Sequence, residues 1–247
     1  LLTHYLPESE PQQFIRHEVQ RQLDLVASIG CKTVDQRLRI CVLPEAKTAI
    51  ARQLLHLGLG SRQDWPHNWP QDWIVIHAGA SAPSRRYPLE HFSRVAQSLF
   101  EKGITPVFTG ILSERSLVDA ICRQMNTPAI SLVGKLTLPE MTALLAAAPL
   151  LLSNNTGPVH LAAAVGTPVV DLYALTNVQH TPWQVPSRVL SHEVPCRLCY
   201  KSICPEGHHH CLRLVPPESV VAAVLDLLNS EPLKDALPVD TAAIASL

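Results

Sequence analysis

PLLLSNNTGPVHLAAAVGTPVVDLY, residues 149–173, reads as an apolar strand (149–154), a polar turn, a short helix of small residues (156–166) ended by Gly166, and a second apolar strand (167–173). The same alternation extends upstream. WIVIHAG (73–79) is a buried strand ending in Gly, and PLEHFSRVAQSLFEKG (88–103) follows with Leu89, Phe92, Val95, Ala96 and Leu99 at helical spacing and Gly103 as a stop. ITPVFTG (104–110) is a second strand, SERSLVDAICRQM (113–125) a helix opened by Ser113, AISLVG (129–134) a third strand, and LTLPEMTALLAAA (136–148) a helix. Downstream, PESVVAAVLDLLNS (217–230) closes the set as a helix. Short β-branched runs alternating with longer amphipathic stretches are the pattern of a parallel sheet wrapped by helices. The reading is α/β: five strands within about 160 residues, one Rossmann-like, doubly wound domain over 73–230.

Ligands of such sheets sit outside the carboxyl ends of the strands. A site is therefore expected in the loops after Gly79, Gly110, Gly134, Asn154 and Tyr173. The first sixty residues differ, with a helix-like segment at 12–30, a short apolar RICVL (39–43) that reads as a strand, and a helix-like EAKTAIARQLLHLGL (45–59). Residues 61–72 are polar, Pro-broken and Trp-rich, which reads as a linker, and 231–247 form a tail. The chain opens on Leu1 with LLTHYLPESEP, which has no basic-then-apolar signal architecture, so a fragment is expected.

Composition excludes several classes. The 20 Lys+Arg against 21 Asp+Glu give a formal charge of −1, and no basic run supplies a phosphate-tracking surface, so nucleic acid is not an expected partner. Hydrophobic residues at 47% with 17% charged, against ~25% typically, describe a chain that buries a large core. The longest apolar stretch, 143–152, contains Pro149 and is about half the ~20 residues of a membrane span, so no transmembrane segment is expected.

Three groups of residues could carry chemistry. In the 153–157 turn, Asn154 and Asn155 can cap the following helix, Gly157 lets a ligand approach the backbone, and the N–H groups of Thr156 and its neighbours favour phosphate. His160 lies one turn further on; an Asn-capped helix with a packed His is the plainer reading of the same residues. The second group is the loop in HAGASAPSRRYP (77–88), with Ser81, Ser84, Arg85 and Arg86 leaving the same edge; arginine suits phosphate because its planar donors are always charged and bind in pairs. Thr109, Gly110, Ser113 and Glu114 form another loop there, where a carboxylate could accept from ribose hydroxyls or simply serve the helix start. The third group is Cys196, Cys199, Cys204 and Cys211, spaced C-x2-C-x4-C-x6-C in an insert over 196–211 with His208, His209 and His210. Four thiolates can surround one structural zinc or iron ion, and unligated or redox-labile cysteines fit as well. Cys31, Cys41 and Cys122 sit alone in apolar contexts, which favours reduced thiols.

HAGASAPSRRYPLEHFSRVAQSL, VFTGILSER, LVGKLTLPEMTALLAAAPLLLSNNTGPVHLAAAVGTPVVDLY and the C-x2-C…CPEGHHHCL segment together resemble glycosyltransferase family 9, the ADP-heptose:lipopolysaccharide heptosyltransferases, over about 73–228. The resemblance implies one half of a two-domain GT-B type enzyme, an inverting, metal-independent transferase of heptose or a related sugar from an ADP-sugar to a lipopolysaccharide core acceptor. It implies a cytoplasmic location, with peripheral association at the inner membrane. It puts Ser81 and Arg85 on the donor diphosphate, Glu114 near the adenosine ribose, the backbone N–H groups of Thr156 and Gly157 on the phosphates and His160 beside them; Thr109, Gly110 and Asn155 complete the expected donor-binding set. The family commonly has Asp where this chain has Asn155, and often Lys where it has Arg85. Its general-base Asp belongs to a Gly-rich strand-turn of an amino-terminal acceptor domain, of which residues 1–60 read as the last part, so donor binding without sugar transfer is expected of these residues alone. The alternatives are a nucleotide- or metal-binding module without activity, and a transferase using a UDP- or GDP-sugar.

Overall fold

Six parallel strands in the order β3-β2-β1-β4-β5-β6 form the centre of the protein. They come from a computed structural model that describes residues 15–59 and 73–230. In chain order the elements are α1 (Glu18–Ala27), α2 (Pro44–His56), β1 (Trp73–His77), α3 (Leu89–Glu101), β2 (Thr105–Thr109), α4 (Arg115–Gln124), β3 (Ile130–Ser131), α5 (Leu138–Ala147), β4 (Leu151–Asn154), α6 (Gly157–Ala164), β5 (Val169–Leu172), β6 (Ser187–Leu190), α7 (His210–Arg213) and α8 (Pro217–Asn229). The expected linker at 61–72 and tail at 231–247 lie outside the described residues.

Successive strand residues point to opposite faces, and each face is roofed by its own helices. Ile74, Ile76, Phe108, Leu152 and Val170 join Phe92, Val95, Leu99, Ile121, Val220 and Val224 from α3, α4 and α8. Their neighbours Trp73, Val75, Val107, Leu151 and Val169 pack against Leu144, Leu145, Val159 and Ala162 from α5 and α6. Both faces are therefore dry, which is why the strands read as continuous apolar runs rather than alternating ones. Ala46, Ile50 and Leu54 of α2 join the second cluster, so α2 packs on this sheet through α5.

Several expectations are corrected. RICVL forms no strand: 39–43 has no regular structure, and Ile40 and Cys41 are exposed, so the apolar run lacks a sheet edge to join. Cys31 is exposed too, rather than sheltered among its apolar neighbours. The 129–134 strand shortens to Ile130–Ser131 at the sheet edge. A sixth strand, β6, pairs with β5. Its exposed Arg188 and Val189 hide it from an apolar-pattern search, and the Arg188 guanidinium is instead held by Asp226 of α8 at 2.7 Å. Ser113 does not cap α4; it lies exposed in a 3-10 turn, Leu112–Glu114, that runs into the helix.

Candidate functional site

The strand order reverses between β1 and β4, where His77 pairs with Ser153. At such a switch point the loops leaving adjacent strands diverge to opposite faces and open a crevice between them. Here the two loops are 78–88 and the turn at 155–157. Asn154, fully buried at the end of β4, holds them together: its side-chain carbonyl accepts from the Tyr87 N–H at 3.0 Å and its amide donates to the Ala78 carbonyl at 2.8 Å. One side chain thus clamps both ends of the loop that carries Ser81, Ser84 and Arg85.

The rest of that loop is tied down as well. Arg86 folds back to donate to the Ala80 carbonyl at 2.9 Å, and the Tyr87 hydroxyl donates to the Val215 carbonyl at 2.9 Å. Ser84 is buried, its hydroxyl donating to the Lys201 carbonyl and its N–H to the Ser202 carbonyl. Ser81 is exposed. Arg85 differs from both. Its half-buried guanidinium has no hydrogen-bond or ion-pair partner among the described residues, and its charge acts on Tyr173 and His180 across the crevice.

On the other side, Thr156 caps α6 in an extended conformation without a side-chain cap bond, and Pro158 has no N–H to offer. A helix start of this kind presents backbone donors and the positive end of the dipole. A Cβ added at Gly157 would meet nothing within 4 Å, so the glycine fronts open space. The expected capping by Asn154 and Asn155 is not what the structure shows. Asn154 is the clamp just described, and the Asn155 amide donates inward to Asp171 Oδ2 at 2.9 Å and to the His180 carbonyl at 2.8 Å. Burial pushes the Asp171 carboxyl up to about 7, with the Asn155 hydrogen bond opposing, and its Oδ1 is buried without a partner.

His160 stands beside His180 and His17. Burial first, then the two neighbouring imidazoles, hold it below the ordinary histidine range. His180 and His17 lie outside the motifs that sequence reading singled out. The loop after Tyr173 belongs to the expected ligand edge, but no repeat or spacing points to His180 within it. His17 arrives with α1: its Nδ1 accepts from the Val19 N–H, its Nε2 reaches the Thr181 carbonyl at 2.9 Å, and its ring lies 4.4 Å from that of Trp183.

The third loop is turned more toward the protein. Thr109 is 1% exposed, its hydroxyl 3.1 Å from His77 Nδ1. Glu114 accepts from the Ile111 N–H at 2.9 Å and lies 4.0 Å from His77 Nε2, over Gly79 and Gly110. A Cβ on Gly79 would collide with the Glu114 carboxylate, so that glycine is what lets the acid reach the end of β1. Burial holds His77 below its ordinary value, Glu114 acting against it.

The family model for glycosyltransferase family 9 (heptosyltransferase) matches residues 7–210. The chain belongs to glycosyltransferase family 9. Among curated family members it is 27% identical to lipopolysaccharide heptosyltransferase 3 of Escherichia coli over 222 residues, 86% of this chain and 60% of that protein. It is also 27% identical to lipooligosaccharide heptosyltransferase 2 of Campylobacter jejuni over 166 residues, 65% of this chain and 52% of that one. The chain thus spans about half to three-fifths of the length of these relatives. A solved family 9 glycosyltransferase from Veillonella parvula superposes with a TM-score of 0.72 at 25% identity, covering 89% of this chain and 62% of that one. E. coli ADP-heptose lps heptosyltransferase II shares the fold, with a TM-score of 0.60 at 24% identity over 77% of this chain and 53% of the other. The Rossmann-like sheet is one half of the GT-B arrangement of this family. No helix among the described residues is long and apolar enough to cross a membrane.

Proposed function

We propose that this chain supplies the donor half of a glycosyltransferase that moves a heptose or related sugar from an ADP-sugar to a lipopolysaccharide core acceptor. The observation that carries the reading is the unpaired, half-buried Arg85 set across the switch-point crevice from the uncapped start of α6. Departure of a nucleoside diphosphate leaves negative charge on the phosphates. A fixed guanidinium and a helix N-terminus stabilise that charge without reorganising. Gly157 gives the phosphates access to the backbone, and Ser81, Thr156 and His160 are proposed to hydrogen-bond them. Glu114, beside Thr109 and Gly110 at the neighbouring strand ends, is proposed to meet the ribose, and Asn155 to support the turn from behind.

Inverting transfer also needs a base to take the acceptor proton. We assign it to the facing acceptor domain of the GT-B pair, of which residues 1–60 are proposed to be a part. Adenine, heptose and a lipopolysaccharide acceptor are taken from the names of the relatives, and no metal is required by the charge-stabilising groups described. The cytoplasmic face of the inner membrane is the location this acceptor implies, and seven free cysteines suit a reducing compartment.

Thermal stabilisation by ADP, UDP and GDP tests the reading. ADP at ~100 times its dissociation constant should add about 2.7 kcal/mol if it binds only the folded chain. Arg85→Ala should weaken ADP by roughly 10- to 100-fold, the range of a charge-assisted hydrogen bond. Equal shifts with all three nucleotides, or an Arg85→Ala chain that binds ADP as well as its parent, would remove the assignment.

A further inference from the structure

The donor site does not absorb the cysteines of 196–211. Cys196, Cys199, Cys204 and Cys211 line one small cavity together with His208 and Ser84. All four sulfurs are free thiols. The chain reaches this cavity through Leu198, Tyr200 and His209, at φ +60°, +54° and +53°. Non-glycine residues held in the left-handed region persist only where their surroundings over-determine them, and these are three of four among the described residues. The His208 ring is oriented: its Nδ1 accepts from the His210 N–H at 3.0 Å, so in the neutral ring the proton is on Nε2, 3.7 Å from Cys196 Sγ. An imidazole donating to sulfur supports a thiolate rather than competing as a ligand.

We propose that this cavity holds one thiophilic metal ion, zinc or iron, bound by the thiolates of Cys196, Cys199, Cys204 and Cys211, and that the ion braces the loop carrying Arg85. Each ligating thiol releases its proton to solvent. Among the described residues no three His, Cys, Asp or Glu side chains already stand as a metal site; the four sulfurs line one cavity and would have to close on the ion as it binds. The bracing follows from the hydrogen bonds of the insert. The Lys201 and Ser202 carbonyls, between the second and third cysteines, accept from the Ser84 hydroxyl and N–H at 2.9 and 3.1 Å. On the other side Leu198 and Tyr200 donate to the Leu175 and Thr176 carbonyls, in the loop after β5. An insert of little regular structure thus holds Ser84, the residue before Arg85, and four bonds to one ion would fix it. Two disulfides are the competing use of the same sulfurs.

The metal site stands apart from the donor reading, whereas its consequence for nucleotide binding rests on it. Elemental analysis of the purified 247-residue chain should find one equivalent of zinc or iron, and cobalt(II) added to the reduced apo chain should give thiolate-to-cobalt charge transfer and tetrahedral visible bands. Cys199→Ser and Cys204→Ser should lose these bands, Cys122→Ser on α4 should keep them, and His208→Gln should weaken metal affinity roughly 10- to 100-fold. A folded, reduced chain that takes up no cobalt, or an intact mass showing two disulfides in the freshly isolated protein, would overturn the site. Without nucleotide, amide exchange at 81–86 should speed at least tenfold on metal removal; equal exchange in both forms would overturn the bracing. ADP affinity should fall with the metal. A metal-loaded chain that binds cobalt but no ADP would count against the donor reading and leave the metal site standing.

Discussion

Gly157 and Gly79 show how two glycines at one crevice serve different ends. At Gly79 a methyl group would strike the Glu114 carboxylate, whereas at Gly157 it would meet nothing within 4 Å. Gly157→Ala should therefore leave the thermal midpoint of the free chain within a degree or two and weaken ADP at least tenfold. Full ADP affinity in that variant would show that the phosphates do not approach this backbone. Asp171 poses a different question. Its folded value of about 7 lies above the ordinary carboxyl value, so between those two pH values the folded chain holds a proton that the unfolded chain has released. Stability from this group is present at low pH and lost as pH rises toward 7. Asp171→Asn should stabilise the chain by on the order of 2 kcal/mol at pH 8, and by less at pH 5, in urea unfolding. Equal changes at the two pH values would mean that the carboxyl is not titrating in the folded chain.

Among the α-helices of the described residues, α1 is the one with no buried residue. A ten-residue helix is marginal by itself, so its place depends on what holds its ends. His17 caps it, the Glu18 N–H donates to the Gln179 carbonyl, and Trp183 stacks on His17 while its indole donates to the Gln36 carbonyl at 2.7 Å. Trp183→Ala should raise amide exchange across 18–27 roughly tenfold and leave β1 and β4 protected. An unchanged α1 would mean that the cap alone suffices. The helices over the sheet were readable from their spacing because burial against a dry face imposes the 3.6-residue period. The helical period expected over 12–30 is helix only at Glu18–Ala27 among the described residues, and at 28–30 no packing enforces it.

Among the described residues of the whole molecule, His77, His91, His160, His180 and His209 are each held below the ordinary histidine value, burial being the first cause in every case. Below about pH 6.5 the unfolded chain binds more protons than the folded one, so stability is fully present above that value and is lost as pH falls. Asp171 acts in the opposite direction over part of the same range, one group against five. The urea midpoint should fall between pH 7.5 and 5.5, and His160→Gln should reduce that fall. A midpoint independent of pH would show these imidazoles to be hydrated.

The sequence by itself determined the class of the protein. Strands buried on both faces must be continuous apolar runs, helices over them must carry a stripe, and glycines must end them. Those local demands made 73–173 legible, along with the edge on which a site belongs. They also exposed Arg85, Thr156, Gly157 and the four cysteines as residues with more chemistry than packing requires. Only the tertiary structure decided which of them meet. Strand order put β1 beside β4 and so set Arg85 across from α6, turned Asn154 and Asn155 from caps into a clamp and a buried bridge, and brought His17 and His180 to His160 from distant parts of the chain. Those pairings are long-range, and nothing in local spacing encodes them.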